Sequence, residues 1–134
     1  MTISSITVVV CTANRASDLA FMLREFAKVR MPARASVDLL IIDNASTDNT
    51  RAVVEEARKF LQLPVHYVYE ARKGSGHARN CGVARATGEI IAWTDDDCVV
   101  SEDWLINIVA HFERDDPPEL LGGRIELFDR SHYQ

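Results

Sequence analysis

Two rhythms of apolar residues alternate along the chain. Residues 3–10 are rich in β-branched side chains and predict a buried strand, ending in Cys11-Thr12-Ala13-Asn14-Arg15. Leu19, Met22, Leu23, Phe26 and Arg30 then fall at helical spacing, an apolar stripe with a snorkelling end. Ser17 or Asp18 is placed to cap that helix, and Pro32 to stop it. Residues 37–42 predict a second buried strand that ends at Asp43, and Val53, Val54, Ala57, Phe60 and Leu61 mark a second amphipathic helix. A third strand is expected over 64–69, followed by the polar loop 70–75. The next helix, 76–86, carries Ala78, Gly82 and Ala86 four apart, a small-residue stripe that lets it lie close on a sheet. Gly88 stands where a C′ glycine would end it. A fourth strand then runs into Asp95-Asp96-Asp97. Ser101 is the expected cap of a last helix, whose stripe is Trp104, Leu105, Ile108, Val109 and Phe112. Residues 119–128 form a last strand-like piece, interrupted by Gly122-Gly123.

Strand and helix alternating four times predict βαβ units: an α/β, three-layer α/β/α sandwich around a mainly parallel sheet. Ligands of such sheets bind outside the carboxyl ends of the strands, near the switch in strand order. The polar clusters fall at those ends: 12–15, 43–47, 72–75 and 95–97.

Size and charge narrow the picture. The chain has 134 residues, room for a single domain over 1–134. A net charge of −5 argues against a general nucleic-acid or anionic-membrane binder. No run approaches the ~18 apolar residues of a membrane span, and the start does not read as a signal peptide. Cys11, Cys81 and Cys98 show no Cys-x-x-Cys spacing, so reduced thiols and a cytoplasmic setting are expected. That setting could lie at the inner face of a membrane through parts not in this chain. Self-association through an exposed sheet edge is a possible homo-oligomer route.

The acidic triplet is the chemical signal. Two unit charges ~4 Å apart repel by about 1 kcal/mol in bulk water and about 4 kcal/mol at a protein surface. Three carboxylates at a strand end are a poor structural choice unless something positive lies among them, the plain alternative being a solvated loop that happens to be acidic. Asp95 and Asp97 are spaced to share one, and oxygen ligands suit Mg²⁺ or Mn²⁺. The dinucleotide fingerprint, the P-loop, the EF-hand spacing and the nucleophile elbow are all absent. What remains is a rim with Asp43, the basic residues Arg15, Arg72, Lys73 and Arg79, and a metal candidate, which points to a nucleoside diphosphate derivative.

Four stretches, in this order, carry a resemblance: Cys-Thr-Ala-Asn-Arg after the first strand, Leu-Ile-Ile-Asp-Asn-Ala-Ser-Thr-Asp-Asn-Thr, the run from Gly76-His77-Ala78-Arg79 to Asp97, and Glu102-Asp103-Trp104-Leu105. Over roughly residues 4–128 the chain resembles the family 2 glycosyltransferases of the GT-A fold, a Rossmann-like nucleotide-diphospho-sugar transferase fold. The resemblance implies a nucleotide-sugar donor, with UDP the expected nucleotide, and metal-dependent transfer of its sugar to an acceptor hydroxyl with inversion. It implies that Thr12, Asn14 and Arg15 line the nucleotide pocket and that Asp43 accepts a hydrogen bond from the base. Arg79 would approach the base or phosphates, with Arg72 on the same donor side. Asp95 and Asp96 would hold the ribose and sugar side, and Asp97, with Asp95, the Mn²⁺ or Mg²⁺ ion. The acceptor is left open among carbohydrate, lipid and protein.

Two departures stand out. Ala13 replaces the aromatic often found before the Asn-Arg pair. The family's general base lies well beyond the acidic turn, and Glu126 and Asp129 come too early for it, so the expectation is a donor-binding part without the acceptor-binding half. A non-catalytic nucleotide-binding or assembly module and a sugar nucleotidyltransferase are the alternatives.

Overall fold

A computed structural model of the chain describes residues 2–126. Its elements are β1 (Ser5–Thr12), α1 (Ala16–Phe26), β2 (Ser36–Asp43), α2 (Thr50–Ala57), β3 (Val65–Tyr69), α3 (Ser75–Arg85), β4 (Ile90–Asp95) and α4 (Trp104–Phe112). The four strands form one sheet in the order β3-β2-β1-β4, every pair parallel. The order turns back between β1 and β4, and the switch point lies there.

Alternation along β1 builds both layers. Ile6, Val8 and Val10 face a core completed by Leu19, Leu23 and Phe26 of α1, Val54 of α2 and Leu105 of α4. Each such large side chain, once buried, contributes ~1.5–3 kcal/mol. Val9 and Cys11 face the other way, into a smaller cluster with Leu40, Ile42 and Ala78 of α3. The result is the expected three-layer sandwich, with α1, α2 and α4 on one face and α3 on the other. The small-residue stripe acts as predicted. A Cβ at Gly82 would come within 2.9 Å of Val9 Cγ1 and 3.0 Å of the Trp93 ring, so only glycine lets α3 sit this close.

Several local expectations are corrected. Neither Ser17 nor Asp18 caps α1; the Asp48 carboxylate, from the turn after β2, accepts the Ala16 N–H at 3.1 Å. The helix also ends at Phe26, well before Pro32, and Arg30 pairs with Asp103 instead of continuing the stripe. Ser101 receives the Trp104 N–H through its backbone carbonyl, at 3.0 Å, and its side chain caps nothing. Gly88 is no C′ glycine: α3 already ends in extended backbone at Ala86. Its role is close approach, since a Cβ there would lie 2.4 Å from the Thr7 nitrogen of β1. The strand expected over 119–128 does not form within the described residues 119–126, which pair with no strand; Leu127 and Phe128 lie outside the described residues. Among the described residues no helix is long and apolar enough to cross a membrane.

Candidate functional site

Parallel register puts the strand ends on one rim. Thr12 is level with Asp43 across β1 and β2, and Cys11 with Asp95 across β1 and β4. Above the β1–β4 switch the rim opens into a cleft of about 400 Å³, in which Thr12, Arg15, Arg79, Asp95, Asp96 and Asp97 come together. A larger groove, about 660 Å³, runs along β4 and α4 beneath residues 119–124, but none of these six residues lines it. The candidate site residues therefore gather at the smaller cleft.

The acids are not equivalent. Asp95 closes β4, and Asp96 and Asp97 form the turn that follows. Asp96 points inward and is 5% exposed, whereas Asp95 and Asp97 are exposed. Thr12 Oγ1, itself buried, donates to Asp96 Oδ2 at 2.9 Å. Burial raises the Asp96 carboxyl above its usual range, against the pull of that hydroxyl and of Arg15. The guanidinium of Arg15 supplies the cation the triplet requires in the free protein. Its Nη1 lies 3.6 Å from Asp96 Oδ1, its Nη2 3.0 Å from Asp97 Oδ2 and its Nε 3.3 Å from Asp18 Oδ2. Asp96 is the main cause of its being held still more firmly protonated. Arg79 enters the cleft from α3 and has no carboxylate partner among the described residues. Its positive charge draws the half-buried Cys11 thiol down, yet burial still pushes that thiol up to about 11, so Cys11 is an inert neutral wall.

The donor set for a metal fits a hard cation. Ligand atoms of Asp95, Asp97 and Cys98 lie within 4.8 Å of one another. Two oxygens on one ion at ~2.1 Å stand up to about 4.2 Å apart, so a small adjustment brings the carboxylates onto one ion. Burial, then Asp97 and Asp95, raise the Cys98 thiol, which donates to Asp97 Oδ1 at 3.7 Å. Sulfur is a soft ligand, so the set that suits a hard ion is the two carboxylates with the remaining positions left for water and phosphate, the pattern of Mg²⁺ or Mn²⁺.

Three predicted site residues are not brought to the cleft wall. Asn14 has a left-handed backbone (φ 52°), and its Oδ1 accepts the Thr47 N–H at 2.8 Å. Its own N–H donates to Ser46 Oγ at 2.8 Å, so Asn14 stitches the turn after β1 to the turn after β2. Asp43 is 2% exposed; its Oδ1 accepts the Ser46 N–H at 3.0 Å and its Oδ2 accepts the Tyr67 hydroxyl. Arg72 is exposed and paired with Glu70 at 2.7 Å. Glu126 pairs with Arg124 at an exposed position away from the cleft, and Asp129 lies outside the described residues. Conversely, Asn44, Ser75 and Trp93 line the cleft without having been singled out as donor-binding. The place of Asn44 was readable as turn chemistry: its Nδ2 donates to the Arg72 carbonyl at 2.7 Å and its Oδ1 accepts the Gly74 N–H at 2.9 Å, holding the loop before α3. The cue for Trp93 was its position two residues before the first acid, beside the Gly82 stripe.

A doubly wound parallel sheet with an acidic cleft at its switch point defines a Rossmann-like α/β protein whose ligand site lies at the strand carboxyl ends. Residues 7–130 match the family described as Glycosyl transferase family 2, and the chain belongs to that family. Among relatives, it is 36% identical over 100 residues to the succinoglycan biosynthesis protein ExoM of Rhizobium meliloti, covering 75% of this chain and 32% of that protein. It is 25% identical over 126 residues to the glycosyltransferase AglE of Haloferax volcanii, covering 94% of this chain and 41% of that protein. The fold is that of GT-A transferases. The mannosyltransferase PcManGT of Pyrobaculum calidifontis, solved with GDP-Man and Mn²⁺, superposes with a TM-score of 0.73 at 31% identity, over 82% of this chain and 32% of that one. Staphylococcus aureus TarS 1-349, solved with UDP-GlcNAc, gives a TM-score of 0.73 at 25% identity, over 81% of this chain and 31% of that one. The chain thus spans about a third of the length of the relatives it matches first.

Proposed function

We propose that the chain is a GT-A donor-binding domain of an inverting glycosyltransferase, holding a nucleotide-sugar through a divalent ion and passing the sugar to an acceptor hydroxyl. The observation that carries this reading is the convergence of Arg15, Arg79, Asp95 and Asp97 on one cleft at the β1–β4 switch. Asp97 and Asp95 hold Mn²⁺ or Mg²⁺, which when bound neutralises the diphosphate as it leaves. Arg79, without a carboxylate of its own, is available to the phosphates, and Arg15 flanks them. Thr12 fixes the buried Asp96, and Asp96 in turn orients Arg15 and the acidic turn. Asp43 acts from behind the cleft wall by holding the turn after β2, and Asn14 by holding the two turns in register. Arg72 orders the loop before α3. This assigns donor binding and leaving-group stabilisation to the chain; none of these residues takes the proton of the acceptor hydroxyl.

UDP is the first nucleotide to test and GDP the second, because the neighbouring structures hold UDP-GlcNAc and GDP-Man. Calorimetric titration of the chain with each, with and without Mn²⁺, is expected to show binding that depends on the metal. Asp97→Asn is expected to lose that dependence, by ten-fold or more (about 1.4 kcal/mol per factor of ten), while its far-UV CD spectrum stays that of the parent. Equal affinity with and without metal, for both nucleotides, refutes the reading.

A further inference from the structure

We propose that Arg15 is an internal rival of the metal ion for Asp97, and that a diphosphate relieves the rivalry by drawing Arg15 onto itself, so that metal and nucleotide bind as a pair. The inference rests on reading the cleft as a metal–diphosphate site.

Of the two carboxylates placed to hold the ion, Asp95 has no ion-pair partner among the described residues, whereas Asp97 is already engaged. Its Oδ2 faces Arg15 Nη2 at 3.0 Å and its Oδ1 the Cys98 thiol at 3.7 Å. A lone cation that takes Asp97 must either expel the guanidinium or sit about 5 Å from it. A divalent charge at that distance from a unit charge lowers affinity by on the order of ten-fold even at the dielectric of water. Arg15 is not packed in place: its side chain is 46% exposed, and Asp18 at Nε and Asp96 at Nη1 tether it independently of Asp97. It can therefore leave Asp97 without leaving the cleft. A diphosphate offers the planar fork a better partner, since guanidinium matches phosphate oxygens in a bidentate manner. Once Arg15 turns to phosphate, Asp97 is free for the ion, and the ion and guanidinium then share an anion between them. Coupling of this kind is reciprocal, so each ligand tightens the other equally.

Mn²⁺ uptake by the chain, read from the EPR signal of the free ion, tests this for the wild type, Arg15→Gln, Arg15→Lys and Asp97→Asn, each alone and with UDP or GDP. Arg15→Gln is expected to bind Mn²⁺ alone about ten-fold more tightly than the wild type, and the tightening that the nucleotide confers is expected to shrink by about that same factor. Arg15→Lys keeps the charge and is expected to bind Mn²⁺ alone as weakly as the wild type. If Arg15→Gln gains nothing while Asp97→Asn abolishes uptake, the metal site stands and the rivalry is overturned. If Arg15→Lys binds Mn²⁺ as tightly as Arg15→Gln, charge is not the cause and the proposal is equally overturned. If no protein takes up Mn²⁺ even with UDP or GDP, the metal–diphosphate reading falls and this inference with it.

Discussion

Thr12→Val isolates the one hydrogen bond that holds the inward-facing acid of the cleft. Valine keeps the shape of threonine and removes only the hydroxyl that donates to Asp96 Oδ2 at 2.9 Å. Both residues are buried, at 3% and 5% exposure, so water does not replace the lost donor. A hydrogen bond to a charged group contributes ~1.5–3 kcal/mol, and Arg15, at 3.6 Å, reaches only the other oxygen. The expected loss at pH 7 is about 2 kcal/mol, or a fall of roughly 6 °C in Tm. The pH dependence follows from the carboxyl itself. Burial raises Asp96 above its ordinary 3.8 in the folded protein, so the folded state binds that proton more tightly than the unfolded chain. Ionisation of Asp96 therefore costs stability as pH rises from about 3.8 through its folded value. The Thr12 hydroxyl opposes that cost only where the carboxylate is charged. The penalty for Thr12→Val is thus full above the window and shrinks below it, towards the ~1 kcal/mol of a neutral hydrogen bond. Urea melts followed by the fluorescence of Trp93 and Trp104, at pH 7 and at pH 3, measure both values. A loss under about 0.5 kcal/mol at pH 7, or one that grows on acidification, refutes the reasoning.

Two further substitutions probe the scaffold behind the cleft. Gly82→Val drives side-chain atoms into Val9 and Trp93, which a Cβ alone would already meet at 2.9 and 3.0 Å; overpacking is expected to cost about 2 kcal/mol. It should also weaken UDP or GDP binding, because Arg79 rides on the same helix one turn earlier; unchanged affinity in the folded variant would count against Arg79 as a phosphate contact. Tyr67→Phe strips the donor from Asp43 Oδ2 while keeping the ring that Arg51 stacks upon at 5.3 Å, and is expected to cost ~1.5–3 kcal/mol in a urea melt. In the parent protein, burial first and the bond to Asp43 second raise the Tyr67 hydroxyl. Folded stability from this group is therefore complete below the ordinary value of 10.0 and is lost as pH rises beyond it, and the ultraviolet titration of the three tyrosines should show one lagging in the parent and absent in the variant.

The layers were legible because each strand and helix has to hide an apolar face, and the spacing of that face is written locally. Leu19, Met22, Leu23 and Phe26 all went where their spacing sends them, and so did the Ala78–Gly82 stripe. The acidic turn was legible for a similar reason: three charges cannot continue a buried strand, so they mark its end. What failed was chemistry supplied from a distance. Helix α1 looked as if Ser17 or Asp18 must cap it, yet the cap is Asp48, 32 residues further along and brought close only by β1–β2 pairing. The resemblance placed Asn14 in the nucleotide pocket, whereas with a φ of 52° its side chain bonds the Thr47 N–H. No local pattern separates a polar residue that faces ligand from one that ties two turns together.

Strand order explains why those two kinds of residue divide as they do. The turns after β1 and β2 are neighbours on the side where consecutive strands lie adjacent, so their polar groups satisfy one another: Asn14 with Ser46 and Thr47, Asp43 with Ser46. Between β1 and β4 no consecutive connection crosses the rim, because β4 arrives by way of α3 on the opposite face. At that gap Asp96 takes the Thr12 hydroxyl and Arg15, Asp97 takes Arg15 and the Cys98 thiol, and Asp95 and Arg79 have no ion-pair partner among the described residues. The same topology that closes one pair of turns thus leaves the other open, and Arg15, the first residue past both Thr12 and Asn14, stands at the border between them.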